Sequence, residues 1–227
     1  QFEKLKWAEK KDRDRNSVDT FIKEMLLNMK MNNRTFRSYL DVQSTFNLYS
    51  VGNCLLVARQ CPQATELKDY DAWKEAGTPV KKGQKSIFIL EPGENYIRED
   101  GSTGVSKRIK RVFDISQTSR EKAIIEPSEP DEVMLLKTLI RKPPVPIEAV
   151  DEIKITEKEK ISFFDFDRNI IYVKRGTNTK ELLFSLAREC AMSDLSLKVE
   201  NYARPALHFK AVCVAYIICK KLGADTK

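Results

Sequence analysis

Histidine is nearly missing from this chain: His208 is the only one in 227 residues. A zinc site held by two imidazoles is therefore excluded, including a working H-E-x-x-H helix. A one-histidine triad and a cysteine-rich metal site survive that count. The five cysteines, at 54, 61, 190, 213 and 219, form no C-x-x-C pair. Most lie in apolar surroundings, as in Asn53-Cys54-Leu55-Leu56 and Val212-Cys213-Val214, and are expected to be buried free thiols of a reducing compartment. No apolar run approaches the ~20 residues of a membrane span. With no signal peptide before Gln1 and no internal repeat, the expectation is a soluble cytoplasmic protein.

What is present is an ordinary globular composition with a basic bias. Hydrophobic residues make up 41% and aromatics 9%, enough for a real core. Forty Lys+Arg face 33 Asp+Glu, a formal charge of +7 that favours an acidic partner such as nucleic acid. Residues 1–120 carry 22 Lys+Arg and 16 Asp+Glu, a net of +6; residues 121–227 carry 18 and 17, a net of +1. The basic excess belongs to the first half.

Periodicity divides the chain. Residues 1–15 read as a charged helical lead-in. A helix is expected from Ser17, capped by Asn16 or Ser17, with an apolar stripe at Val18, Phe21, Ile22, Met25, Leu26 and Met29. Further helices are expected through Phe36–Phe46, Asn53–Gln60 and Asp71–Ala76. Ser86–Glu91 and Ile109–Ile115 read as strands, Pro92-Gly93 as a turn and Glu99–Gly104 as a loop. Glu126–Pro130 reads as a linker, Asp131–Arg141 as a helix and Lys142–Pro146 as a break. A hairpin around Asp167-Arg168-Asn169 follows, then helices over Thr179–Ser193 and Pro205–Leu222, the last closed by Gly223. The expected fold class is α+β: helices with a small antiparallel sheet over 1–125, a linker with a short helix over 126–146, and a smaller hairpin-plus-helices domain over 147–227.

Three words between Tyr49 and Thr118 occur in a specific order: Y-S-V-G-N-C-L-L-V-A-R-Q, W-K-E-A-G-T-P-V-K-K-G-Q-K-S-I-F-I-L, and R-V-F-D-I-S-Q-T. Together they resemble the N-terminal domain of ArdC-type antirestriction proteins and LtrC-like proteins of conjugative plasmids. The resemblance implies a small α+β domain that binds single-stranded DNA. The residues support it independently, because lysine and arginine clusters suit a phosphate backbone and exposed aromatics stack on bases. The expected backbone contacts are Lys81, Lys82, Lys85, Lys107, Arg108, Lys110 and Arg111. Tyr96, Trp73 and Phe88 are the stacking candidates, although Trp73 also suits a core position.

A second constellation is Ala187-Arg188-Glu189-Cys190-Ala191-Met192. The resemblance extends to it: the corresponding helix of the family carries H-E-x-A-H, the zinc signature of gluzincin-like metallopeptidases. By that correspondence the two histidine ligands fall on Arg188 and Met192, the carboxylate ligand falls on Val212, and Glu189 keeps the general-base position. A guanidinium has no lone pair to give, a thioether suits zinc poorly, and valine coordinates nothing. Cys190, Cys213 and His208 lack the paired spacing of a replacement site; His208 is expected to cap a helix or sit at the surface. No metal, no cofactor and no catalytic residue is expected, and Glu189 is left to pair with Arg188 or another base, or to lie at the surface.

The leading expectation is a non-catalytic accessory protein of plasmid conjugation or another mobile element, binding single-stranded DNA beside a degenerate metallopeptidase-like domain. The alternative is an interaction or antirestriction module that binds a relaxase, a coupling protein or a restriction enzyme.

Overall fold

The computed structural model describes residues 2–119, 131–153 and 160–224; the linker expected at Glu126–Pro130 lies outside them. The chain divides into two compact units, Gln1–Ile125 and Glu126–Lys227.

The first helix, α1, runs over Phe2–Met31 rather than starting near Ser17. No glycine or proline occurs before Gly52, so nothing stops the charged lead-in from propagating as helix. Ser17 does not cap: its hydroxyl donates back to the Arg13 carbonyl at 2.9 Å, one turn earlier. Asn32 then caps α2 (Asn33–Thr45), accepting from Arg34 N at 2.8 Å. Ser50 caps α3 (Val51–Gln60). A two-residue strand β1 (Leu67–Lys68) leads to α4 (Tyr70–Glu75), capped by Asp69.

Strands β2 (Ile87–Ile97) and β3 (Thr103–Asp114) form a long antiparallel hairpin, and the sheet order is β1-β3-β2. Pro92-Gly93 is not the turn. It lies within β2 at a register shift between Pro92 and Asn95, and the chain reverses at Arg98–Ser102 around Gly101 at φ +80°. An edge strand tolerates the missing proline N–H, which is why the pairing continues past it.

Helix α3 closes the open edge of β2. Asn53 donates to the Leu90 carbonyl at 2.8 Å and accepts from Leu90 N at 2.7 Å. Two turns on, Gln60 does the same at Phe88, at 3.0 and 2.9 Å. The two amides stand in for a fourth strand at Phe88 and Leu90 and block that stretch of the edge from pairing with another chain. Between helices and sheet, Met25, Val42, Leu55, Val57, Ile87, Ile89 and Val112 form the core.

Unit 2 begins with α5 (Glu132–Ile140), whose Leu136 and Leu139 pack on the core of that unit. The short helix expected in the linker is thus part of the second unit. Strand β4 (Ile147–Val150) runs parallel to β6 (Ile170–Lys174), and β5 (Ser162–Asp165) pairs antiparallel on its other side. Asn169 turns the β5–β6 hairpin at φ 55°, a conformation asparagine accepts readily. Helices α6 (Thr179–Ser196) and α7 (Arg204–Lys221) cover this sheet, with Phe164, Ile171, Leu186, Met192 and Ala211 between them. Gly223, at φ +79°, ends α7. The class is α+β, with one antiparallel and one mixed three-stranded sheet. No helix among the described residues is long and apolar enough to cross a membrane.

Candidate functional site

The register of β2 and β3 sorts the expected DNA-contacting residues onto two faces. Phe88 pairs with Arg111 and Pro92 with Lys107, whereas Ile89 pairs with Lys110 and Glu91 with Arg108. Directly opposed residues share a face, and faces alternate along each strand. Phe88, Lys107 and Arg111 therefore lie on the face away from the core residues Ile87, Ile89 and Val112. Arg108, Lys110 and Tyr96 follow the alternation of the core face: Lys110 sits opposite the core residue Ile89, and Arg108 and Tyr96 lie farther along the hairpin.

The outer face is the floor of two clefts that meet at Arg111. One, of about 1120 Å³, lies against α1 and is lined by Lys10, Asp14, Arg15, Leu90, Lys107, Arg108, Ile109 and Arg111 among others. The other, of about 1300 Å³, is lined by Phe21, Arg59, Asp69, Tyr70, Asp71, Lys85, Phe88, Arg111 and Phe113 among others. Cations and rings alternate here. The Arg111 guanidinium carbon lies 5.1 Å from the centre of the Phe88 ring, and that of Arg59 lies 5.3 Å from the centre of Phe21. Tyr70 meets Phe113 edge-on at 6.3 Å.

Several of the expected backbone contacts are already paired inside the protein. Arg108 donates to Glu91 at 2.7 Å, Lys110 reaches Asp69 at 3.0 Å and Glu91 at 3.8 Å, and Arg111 donates to Asp14 at 2.6 Å. The Ala72 N–H, and next the hydrogen bond from Lys110, keep the Asp69 carboxyl below its ordinary value. The same Asp69 contact raises Lys110. Lys81, Lys82, Lys85 and Lys107 are exposed and make no ion pair among the described residues. Lys85 lines the second cleft and Lys107 the first; Lys81 and Lys82 line neither.

Trp73 is not available to stack on a base. It is 1% exposed, its Nε1 donates to the Phe113 carbonyl at 2.8 Å, and the Lys68 ammonium lies 4.5 Å from its ring centre. The indole is the apolar underside of α4, which the neighbouring Lys74 and Asp71 hid from a reading by charge. Phe88 is half-buried, under Arg111. Tyr96 is 49% exposed and lies across Gly104, where a Cβ would come within 2.6 Å of its Cζ. One face of that ring is seated on the strand. Arg59, Phe21, Lys10 and Arg15 join the clefts from α1 and α3, contacts that no single-segment motif signals.

The second candidate, Glu189, is not at the surface. It is wholly buried, and its carboxylate accepts from Arg188 Nε at 3.0 Å, from Phe164 N at 2.9 Å and from Arg204 Nη2 at 2.5 Å. Arg188 also donates to Ser185 Oγ at 3.3 Å, and that hydroxyl lies 2.7 Å from Ser162 Oγ. Arg204 donates to the Phe164 carbonyl at 3.3 Å. One carboxylate thus ties β5 to α6 and α7. Nothing in the sequence marks Arg204 as its partner, fifteen residues on and in the next helix. Met192 is fully buried in the apolar core and Val212 is half-buried on α7. His208 is exposed on α7 and does not cap it; the cap position is Ala203, with no side-chain bond. Cys54, Cys190 and Cys219 are buried free thiols, each pushed by burial up to about 11, while Cys61 and Cys213 are half-buried.

No protein-family profile matches the chain. In sequence it is similar to pXO2-81, an uncharacterized protein of Bacillus anthracis, at 22% identity over 246 residues, covering 82% of this chain and 40% of that protein. The chain therefore spans less than half the length of that curated relative. The fold is of the ArdC type. Among solved structures, it is similar to those of the antirestriction protein ArdC from plasmid R388. The Mn(II)-bound form matches at a TM-score of 0.56 and 14% identity, over 91% of this chain and 81% of that one. The metal-free form matches at 0.50 and 15%, over 78% and 70%.

A divalent cation of the kind bound to that neighbour does not fit the donors around Glu189. Both carboxylate oxygens are engaged by guanidinium groups, which repel a dication, and Met192 is sealed in apolar packing. Among the described residues, no group of three or more His, Cys, Asp or Glu is placed to hold a metal ion.

Proposed function

We propose that the first unit binds single-stranded DNA through the outer face of the β2–β3 hairpin, and that the chain is a non-catalytic accessory of a plasmid or another mobile element, in antirestriction or transfer. What supports it is the pairing of cation and ring in the clefts that meet at Arg111, with Phe88 under Arg111 and Phe21 beside Arg59, and the Tyr70–Phe113 ring pair next to them. A single strand offers both phosphates and unstacked bases, so such a surface suits it better than a duplex. Lys85, Lys107 and Arg111 are the principal backbone contacts, with Arg108, Lys110, Lys81 and Lys82 adding to the surrounding positive field. Tyr96 is a further platform at the hairpin end.

In this reading the second unit is a metallopeptidase-like scaffold without a hydrolytic centre. Glu189 has become structural, because a carboxylate held by two guanidinium groups has no metal-bound water to deprotonate. The fold similarity to an antirestriction protein supports the setting, and the cytoplasm of a plasmid-bearing cell is where an exposed strand meets such a protein.

Internal pairing of Arg108, Lys110 and Arg111 favours a second reading, a protein partner such as a relaxase, a coupling protein or a restriction enzyme, bound by the same surface. Fluorescence anisotropy with a labelled unstructured oligonucleotide and its duplex separates the two. The DNA reading expects the single strand to bind more tightly; tight duplex binding without single-strand binding contradicts it.

A further inference from the structure

More positive charge gathers around Glu189 than one carboxylate balances. Besides Arg188 and Arg204, the cluster includes Lys160, whose ammonium lies 4.7 Å from the centre of the Phe163 ring. The Arg204 guanidinium carbon lies 4.4 Å from the same centre. Burial, then the charge of Arg204, holds Lys160 below the ordinary lysine value; Arg188 acts in the same direction and Glu189 against it. Three cations thus stand against one anion, and no other described acid makes an ion pair with any of them. Like charges crowded at half-covered positions are unfavourable until an anion joins them.

The group also has unused donors that face outward. The side chains of Arg188 and Arg204 are 26% and 22% exposed, while the Glu189 side chain beneath them is 0% exposed. Arg188 engages Glu189 and Ser185, and Arg204 engages Glu189 and the Phe164 carbonyl. Each guanidinium has five N–H groups in a planar fork, so both retain donors for a further oxyanion. Glu189 fixes the forks from below, which removes most of the ordering cost of binding. Among the described residues the surplus is two positive charges, which matches a phosphate group carrying about −1.5 to −2 near neutral pH.

We propose that Lys160, Arg188 and Arg204 form a phosphate-binding site in the second unit, with Glu189 as the buried positioning group and Phe163 as its apolar wall. The site uses no residue of the first unit, so it stands or falls independently of the strand-binding reading.

The test is a calorimetric titration of the full chain with inorganic phosphate and with thymidine 5′-monophosphate, at fixed ionic strength. Saturable binding is expected, weakened about tenfold by Lys160→Gln, as for one charge-assisted hydrogen bond. It should be unchanged by Lys30→Gln, an exposed residue in the last turn of α1 that lines neither cleft. Removing Arg204 alone strands a buried carboxylate and risks unfolding, so the second variant is the double Arg204→Gln/Glu189→Gln, expected to abolish binding in a folded protein. Tighter binding of the nucleotide than of phosphate assigns the site to nucleotides or strand ends; equal binding assigns it to the free anion. Absence of saturable binding by either, or full binding by Lys160→Gln or by the folded double variant, overturns the proposal.

Discussion

Asp14 on α1 accepts a 2.6 Å hydrogen bond from Arg111 on β3, a contact between residues 97 apart in sequence. Arg111 lies where the two clefts meet, so a carboxylate from the first helix occupies the cation that a phosphate would use. Neutralising that carboxylate as Asp14→Asn should raise single-strand affinity about threefold, because a part-exposed ion pair is worth up to ~1 kcal/mol. Anisotropy at low salt reads the effect. Unchanged or weakened binding would mean that Arg111 is not a phosphate contact.

The α3 amides give a stability prediction. Asn53→Ala leaves the Leu90 N–H and carbonyl without partners, and Gln60→Ala does the same at Phe88. Each change should cost about 2 kcal/mol or more in urea unfolding, since two backbone groups lose their bonds at once. Both should also make the freed β2 edge prone to association, visible as concentration-dependent light scattering.

Asp114 gives a pH dependence. Burial opposes its ionisation, but hydrogen bonds from Ser116, Thr65 and Glu66 outweigh that effect and hold the carboxyl below the ordinary aspartate value. Because the folded value is depressed, its stabilisation is fully present above the unfolded value near pH 4 and is lost as pH falls through the folded value. The unfolding free energy of the parent should drop over that acidic window, and Asp114→Asn should flatten the drop while lowering stability at pH 7. An equally steep acid loss in the variant would assign the effect to other groups.

The carboxylate of Glu189, held by Arg188 and Arg204, should be indifferent to metals. Adding zinc or manganese should not raise the melting temperature and EDTA should not lower it, whereas a site filled at a hundred times its Kd stabilises by about 2.7 kcal/mol. Glu189→Ala should cost about 3 kcal/mol, because it leaves two half-buried guanidinium groups without their shared partner. A melting temperature that rises with stoichiometric zinc would restore the metallopeptidase reading.

Much of the α+β pattern was legible because it rests on local signals. The apolar run around Ile87 and Ile89 forms a strand, Asn169 turns the β5–β6 hairpin and Gly223 follows α7, whereas the cap expected at Asn16 or Ser17 lies inside α1. What escaped depends on partners distant in sequence. Strands β1 and β4 are two and four residues long and are defined by pairing with β3 and β6 rather than by their own pattern. The continuation of β2 past Pro92 depends on its place at the sheet edge. In the candidate sites, the clusters at 81–85 and 107–111 are visible as runs of charge. The carboxylates that pair with Arg108, Lys110 and Arg111 are not, nor is the Arg204 that seals Glu189. Trp73 carried an ambiguous signal, since an indole serves equally as core or as platform, and only its hydrogen bond to Phe113 resolves it.

The central claim, that the hairpin face is a single-strand binding surface, is tested most directly by one titration series at several salt concentrations. The parent and a variant with Lys107, Arg108, Lys110 and Arg111 reversed in charge are compared on the same unstructured oligonucleotide. The parent should show a log–log salt slope of about −0.7 per phosphate neutralised, with affinity and slope both collapsing in a variant that stays folded. Equal affinity and slope in the two proteins would contradict it.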